Sequence, residues 1–456
     1  MTTESRFWLL RDARAAHKQG TGAIARRQRD RLADMVAFAR AHSPYYCEHY
    51  RTLPDRVTDP ALLPVTSKAE LMPRFDEWVT DPAVTLAAVR AFVEDPALIG
   101  EKFLGRYTVS TTSGTTGTPG IFLADQRVLA VTAAVGARTL SSWLTATDVA
   151  LIVARGARIA MVIATGGHFA SATAAAALRK NRLRRNRIGV FGVHTPMPEL
   201  VEALNAFRPT ILAPYASMGA LLATEQQAGR LHIDPALVVL SAEGLPAGEY
   251  SRIATAFGAK VRHSYAANEC PFLSQSCQHG WLHVNSDWAI LEAVDADHQP
   301  VPPGQRSHTA LLTNLANRTQ PILRYDLGDA VLLRPDPCPC GDPLPAIQVQ
   351  GRTADLLTFP TRSGEPVTIA PLAISLAIER LPGVELFQIV HTASTSLSIR
   401  LQPTPGADPE RVWQTAHAEI TRLLTDHKLD HVTVTRADEP PQQTSGGKYR
   451  TVLPLS

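Results

Sequence analysis

No uninterrupted apolar run in this sequence is long enough to span a membrane. The most apolar stretch, Val149 to Leu178, is broken by Arg155, Arg158 and His168, and charge inside a bilayer is costly. The first ten residues, Met1 to Leu10, hold no apolar run ahead of a small-residue cleavage site. They predict no secretory signal, and hence a cytoplasmic protein. Net charge is nearly absent: 45 Lys and Arg against 42 Asp and Glu leave +3 on 456 residues. That is too little to predict a nucleic-acid or anionic-membrane partner. The one basic run, Arg179 to Arg187, follows an alanine-rich stretch with helical spacing and reads as a solvated helix end and loop. Cysteines number only five, and in a reducing compartment they are ligands or core residues before they are disulfides. Internal repeats and low-complexity tracts are absent as well.

What is there reads as globular protein: 45% hydrophobic, 19% charged, mean hydropathy −0.05. The length exceeds what one hydrophobic core supports, which predicts two or more domains. The first hundred residues have helical texture. Arg31 to Ala41 carries apolar residues at helical spacing, ended by Ser43-Pro44, and Ser67 with Glu70 three residues on predicts a capped helix start. From about Thr108, short β-branched runs alternate with helical stretches. Val149 to Ala154, Ile159 to Ala164, Thr210 to Ala213 and Leu237 to Ala242 are the predicted strands of a largely parallel sheet. After Arg352 the texture changes again. A hairpin at Arg362-Ser363-Gly364-Glu365 leads to a helix (Ala370 to Arg380), strands (Leu386 to His391, Ser396 to Leu401), a helix (Pro409 to Leu424) and a strand (Val432 to Arg436). The predicted fold class is α/β: a large N-terminal α/β domain over residues 1–352 and a small α+β C-terminal domain over 353–456.

The strongest local signal is Thr111-Thr112-Ser113-Gly114-Thr115-Thr116-Gly117-Thr118-Pro119-Gly120. Glycines among hydroxyl residues make a loop whose amides and hydroxyls can wrap a polyphosphate. It is not a Walker loop, because no Lys-Ser or Lys-Thr follows its glycines. The plain alternative is an ordinary Ser/Thr/Gly surface loop.

Four further segments follow in order: Ser264-Tyr265-Ala266-Ala267-Asn268-Glu269, Arg324-Tyr325-Asp326-Leu327-Gly328-Asp329, Gly351-Arg352-Thr353-Ala354-Asp355 and Thr444-Ser445-Gly446-Gly447-Lys448-Tyr449-Arg450. With the glycine loop, this series resembles the motifs of the adenylate-forming superfamily, which includes acyl-CoA synthetases, peptide-synthetase adenylation domains and luciferases. Leu63-Pro64-Val65-Thr66-Ser67-Lys68, Leu282-His283-Val284 and Pro321-Ile322-Leu323-Arg324-Tyr325 resemble the phenylacetate–CoA ligase branch.

The resemblance implies a fold of that type with a mobile C-terminal domain, and a reaction. A carboxylate attacks the α-phosphate of ATP, giving acyl-AMP and pyrophosphate, and the acyl group then passes to an acceptor. Such a site works by positioning and by stabilising phosphate charge. By resemblance, Lys448 bridges the acyl oxygen and the phosphate, and Glu269 holds Mg2+. Ser113, Gly114, Thr115, Thr116 and Gly117 wrap the phosphates, and Tyr265 stacks on adenine with Ala266 beside it. Ser241-Ala242-Glu243 passes the purine, Asp329 accepts from the ribose hydroxyls, and Arg352 donates to the ribose. Asn268 stands where the pattern has Thr or Ser and can still bond a phosphate oxygen. Ala354 replaces the usual charged hinge residue. Leu356-Leu357-Thr358-Phe359-Pro360 replaces the glycine-bearing strand that lines the pantetheine tunnel, which predicts slow transfer to coenzyme A.

Four cysteines form a second constellation, Cys270-x6-Cys277 and Cys338-Pro339-Cys340-Gly341. The second pair resembles a zinc knuckle, and a closed set of four thiolates predicts structural Zn2+, with His279 in reserve. Four unrelated core cysteines are the alternative, and Cys47 falls outside the set. Gly167 and His168 lie where the superfamily places an acyl-pocket wall and are weak substrate-binding candidates.

The expectation is therefore an enzyme that activates a small aryl or unsaturated carboxylic acid with ATP and transfers it to coenzyme A. Transfer to a carrier-protein thiol or a nitrogen nucleophile is the alternative, and a silent nucleotide-binding scaffold is another. The partners expected are the acid, an acyl carrier protein and a second copy in a homodimer, with neither nucleic acid nor membrane.

Overall fold

Two helices open the chain, Arg6–Gln19 and Thr21–His42. Ser5 caps the first by accepting the Trp8 N–H, and Gly20 at φ 79° takes the left-handed backbone that separates them. Ser43 ends the second, and its hydroxyl accepts the Tyr46 N–H to cap Pro44–His49. Ser67 starts the single turn Lys68–Leu71 by accepting the Glu70 N–H, as its sequence predicts. The computed structural model describes residues 5–112, 120–165, 167–180, 185–242, 245, 247–349, 357–363, 365–369, 374–375, 377–378, 381–404, 406–442, 452–453 and 455.

Five parallel strands form the central sheet, in the spatial order Ile188–Gly192, Ile159–Ile163, Ile211–Pro214, Leu237–Leu240 and Lys260–His263. Helices Ala170–Arg179, Met197–Phe207, Ala216–Gln227 and Ala247–Phe257 connect them. Parallel strands need such crossovers, which is why the sequence alternates between the two textures. The predicted strand Val149 to Ala154 is overturned: these residues belong to the helix Ala146–Ala154. Thr145 and Asp148 close a capping box, with the Thr145 N–H donating to Asp148 at 2.6 Å and the Asp148 N–H to Thr145 Oγ1 at 3.2 Å. That satisfied first turn outweighs the strand preference of the β-branched residues after it. Among the described residues no single helix is long and apolar enough to cross a membrane.

Antiparallel strands follow. Ala289–Val294, Thr309–Asn314 and Tyr325–Asp326 form one sheet. Ser274–Ser276, Leu282–Val284, Ala346–Val349 and Val331–Leu333 form another. Further along the chain, Leu357–Pro360 and Pro366–Ile369 make the predicted hairpin. A last sheet orders Thr433–Arg436, Ser396–Pro403, Val384–Ala393 and Val452–Leu453, accompanied by the helix Pro409–Asp426. The predicted helix Ala370 to Arg380 falls largely outside the described residues.

The apolar core is divided. One cluster joins the N-terminal helices to the antiparallel strands, with Trp78, Trp288, Tyr45 and Tyr46 fully buried. Another joins the parallel sheet to residues beyond 357, including Phe359, Ile389, Ile399 and Ile420.

Candidate active site

The strand order contains one reversal. After the edge strand Ile188–Gly192, the chain crosses Ile159–Ile163 to form Ile211–Pro214 on its far side. Ligands of open α/β sheets bind outside the carboxyl ends of the strands at such a switch point. Backbone bonds extend the ladder into that crevice: Val193 N–H to Ile163 O at 3.1 Å, Tyr215 N–H to Val162 O at 3.0 Å, and Ala216 N–H to Ser241 O at 3.0 Å. Tyr215, 6% exposed, shares a 2.7 Å hydrogen bond with the Ser171 hydroxyl. Ser241, predicted to pass the purine, sits beside it, and Ala242 takes φ 70°. A left-handed Ala costs roughly 1–2 kcal/mol, strain of the kind that clusters at functional sites. Glu243 lies outside the described residues.

The glycine loop joins two paired strands, Thr108–Thr111 and Ile121–Ala124. Its neck is closed by Thr112 N–H to Gly120 O at 2.9 Å and by Gly120 N–H to the Thr112 hydroxyl at 2.8 Å. Gly120 is required there, since a Cβ would lie 2.7 Å from the Phe122 ring. Ser113, Gly114, Thr115, Thr116 and Gly117 lie outside the described residues.

Next to this neck stands a two-residue turn. Ala267 and Cys270 exchange backbone bonds at 3.3 and 3.0 Å, which puts Asn268 and Glu269 at the tip. Asn268 Nδ2 reaches the Thr111 carbonyl at 3.5 Å, and its Oδ1 is buried with no hydrogen-bond partner among the described residues. Glu269 is 9% exposed, and its carbonyl accepts from Asn314 at 2.7 Å. Glu269 thus has the chemistry to hold a hard cation, on a turn beside the glycine loop. Ala266 is exposed.

Tyr265 and Asp329 are joined directly. The phenol donates to Asp329 Oδ2 at 2.8 Å, and Asp329 is 4% exposed. The Tyr265 carbonyl accepts both the backbone N–H and the hydroxyl of Ser274, which holds the ring's approach to Asp329. Asp326 instead takes the Gly328 N–H and the Thr309 hydroxyl, a turn-forming role. Thr66 pairs with Arg324 and Asp326 through its backbone, and its hydroxyl donates to Leu323 O at 3.0 Å. Two of the three segments that resemble the phenylacetate–CoA ligase branch, those of Thr66 and Arg324, are therefore packing partners of one another.

A Cβ at Gly167 would meet the Phe169 ring at 2.9 Å, so a larger residue there would displace that ring. His168 is 3% exposed, its carbonyl accepts the Thr111 N–H at 2.8 Å, and its ring packs on Phe92 at 5.3 Å. Burial lowers its pKa, which keeps it neutral. Lys448 and Arg352 lie outside the described residues.

The cysteine constellation is corrected. Cys270 closes the Ala267 turn and is buried in the apolar core with Phe272 and Leu273, its thiol pushed up by burial. The ligand atoms that come together are those of Cys277, His283, Cys338 and Cys340, all within 4.8 Å of one another. Six residues of turn and strand separate Cys270 from Cys277, and Ser274–Ser276 delivers only the second cysteine to the cluster. His283 arrives from the neighbouring strand, where it pairs with Gln275 and Ala346. The overlooked signal was Cys277-x5-His283, a plausible ligand spacing. His279 is exposed and outside the cluster.

Comparison with family models and with curated proteins gives no match. Solved structures do. The chain is similar to 2-hydroxyisobutyryl-CoA ligase in complex with 2-HIB-AMP and CoA in the thioesterification state, at TM-score 0.60 and 22% identity over 100% of this chain and 94% of that one. An open conformation of that ligase with the same ligands gives TM-score 0.52 and 21% identity, over 95% and 91%. Its postadenylation state with R3-HIB-AMP gives 0.52 and 22%, over 100% and 93%. The fold is that of the adenylate-forming enzymes. The neck of the glycine loop, the Tyr265–Asp329 pair and the Asn268–Glu269 turn come from three distant parts of the chain.

Proposed function

We propose that this chain is an ATP-dependent ligase that activates a small carboxylic acid as its acyl-AMP and passes the acyl group to a thiol, coenzyme A first among acceptors. The observation that carries this reading is the Asn268–Glu269 turn reaching Thr111, next to the Thr112–Gly120 neck, through Asn268, with Tyr265 hydrogen-bonded to Asp329. The carboxylate oxygen forms a bond to the α-phosphorus as the bond to pyrophosphate breaks. The thiol sulfur then replaces AMP at the acyl carbon and loses its proton. The loop over residues 113–117 cradles the phosphates, and Asn268 donates to a phosphate oxygen. Tyr265 lies against adenine, Asp329 and Arg352 hold the ribose, and Lys448 stabilises charge as it builds on the phosphate. Glu269 would hold magnesium, which when bound neutralises phosphate charge. Arg352 marks the boundary with a small C-terminal domain that carries Lys448. The cysteine cluster adds a structural zinc.

An aryl or unsaturated acid is the expectation from the resemblance. A specific observation favours a second reading, a short hydroxylated acid. Thr165, Ser171, Thr195, Tyr215 and Ser241 bring hydroxyls to the switch-point crevice, and no carboxylate stands in Ala164–Ser171, Val193–Met197 or Tyr215–Gly219 to bind an α-ammonium group. The ligase of like fold carries a hydroxy-acyl adenylate, which agrees.

Acid-dependent exchange of labelled pyrophosphate into ATP, run across alkyl, aryl, hydroxy and amino acids, tests the proposal. Exchange with at least one acid supports it and names the substrate. ATP binding without exchange for any acid would leave the scaffold reading in its place.

A further inference from the structure

We infer that Cys277, His283, Cys338 and Cys340 form a closed, four-coordinate zinc site that pins the loop over 338–344 to the strand Leu282–Val284. Cys270 has no part in it.

The spacing fits a metal and not a bond between sulfurs. Cys277 Sγ and Cys338 Sγ are 3.7 Å apart. A disulfide needs about 2.05 Å, whereas two thiolates on a tetrahedral ion with bonds of about 2.3 Å stand about 3.8 Å apart. Cys340 Sγ lies 3.3 Å from His283 Nε2, close to the corresponding sulfur–nitrogen edge.

The surrounding groups are arranged for ligation. His283 is 1% exposed, and its Nδ1 lies 2.9 Å from the Leu344 carbonyl. That acceptor places the proton on Nδ1 and turns the Nε2 lone pair toward the thiols, the usual outer-shell device for a metal-binding histidine. Backbone N–H groups point at two of the sulfurs: His279 at Cys277 Sγ (3.4 Å) and Asp342 at Cys340 Sγ (3.5 Å). Two knuckle-like turns present the thiols. Gly280 at φ 76° and Gly341 at φ 78° each follow a cysteine by three residues and donate to its carbonyl, at 3.2 and 3.0 Å. Three thiolates and an imidazole select a borderline-soft ion, and ligand atoms this close leave no room for bridging sulfides. Four protein ligands leave no open position for water, so the role is structural.

The site also reaches the N-terminus. Asp342 pairs with His17 at 3.2 Å, and Leu344 packs against Ala16 and Ile24. The loop held by the metal is therefore the seat of the first helical pair.

This inference rests on side-chain geometry alone and stands or falls apart from the ligase reading. The test uses the full chain purified without chelator. Elemental analysis should give about one zinc per chain. Co2+ exchange should give thiolate charge-transfer absorption with the visible bands of a four-coordinate ion. His283→Ala and Cys338→Ser should lower zinc content at least about tenfold, while Cys270→Ser keeps it. His283→Cys, which restores a fourth thiolate, should retain zinc even where His283→Ala fails to fold. A wild-type chain without zinc and without a cobalt spectrum would overturn the inference. So would an iron–sulfur chromophore, or zinc kept by His283→Ala and lost from Cys270→Ser.

Discussion

The Tyr265 hydroxyl donates to Asp329 Oδ2 at 2.8 Å, which ties the predicted adenine platform to the predicted ribose carboxylate. Tyr265→Phe keeps the flat ring and removes only this bond. A hydrogen bond to a charged group is worth about 1.5–3 kcal/mol, and part of that is recovered when the ribose binds. The KM for ATP should rise several-fold, and the preference for ATP over 2′-deoxy-ATP should shrink, because Asp329 is no longer aimed. An unchanged ATP to 2′-deoxy-ATP ratio would reduce Tyr265 to a stacking surface.

Lys448→Ala should abolish acyl-AMP formation and leave ATP binding nearly intact. Its charge matters most where phosphate charge develops, which is in the transition state. One lost electrostatic contact of that kind costs about 10²-fold or more in rate. Pyrophosphate exchange and calorimetric ATP titration measure the two quantities. A variant that retains more than about a tenth of the exchange rate would sink the assignment.

Much of this architecture was legible where local signal and tertiary demand agree. Ile159 to Ala164, Thr210 to Ala213 and Leu237 to Ala242 read as strands because buried parallel strands are β-branched and bounded by helical texture. Val149 to Ala154 misled for the same reason, since its β-branched residues sit in a helix set by the Thr145–Asp148 cap. Tyr265, Asp329, Asn268 and Glu269 were found as an ordered series of motifs. Their mutual contacts were not legible, because they depend on which strands pair. The cysteine–histidine cluster shows the limit. Cysteine spacing pointed to Cys270, but the strand pairing that brings His283 opposite Gln275 is long-range information that no spacing carries.

His263, at the end of its strand, predicts a pH dependence. Burial, then the neighbouring Arg262 guanidinium, lowers its pKa from 6.5 to about 4. The unfolded chain binds this proton first as pH falls. Stability is therefore present in full above about pH 6.5 and is lost as the pH drops toward 4, by roughly 3 kcal/mol in total. Urea midpoints at pH 7 and pH 5 should differ more for the wild-type chain than for His263→Gln. Equal differences in the two proteins would remove His263 from the account.

Adenylation should be competent, while transfer to coenzyme A should be slow or absent with at least some acids. The pantetheine arm is a chain of amides and methylenes, and a tunnel for it needs a strand whose backbone can be approached closely and can donate. Here the strand beyond the hinge is Leu357–Pro360, paired with Pro366–Ile369. Its Leu357 and Phe359 are fully buried, and Phe359 packs at 4.6 Å on the His391 ring. At its turn end Pro360 stands opposite Pro366, so neither partner has an N–H to offer. No glycine stands in Leu357–Pro360 to open space for the arm. Ala354, which the resemblance places at a hinge, has no charged side chain to hold either domain arrangement. Single-turnover assays from preformed acyl-AMP, with coenzyme A compared against a carrier-protein thiol and amines, measure the step directly. Fast, saturable thioester formation with coenzyme A would show that the arm passes this strand regardless, and the plain acid–CoA ligase would stand.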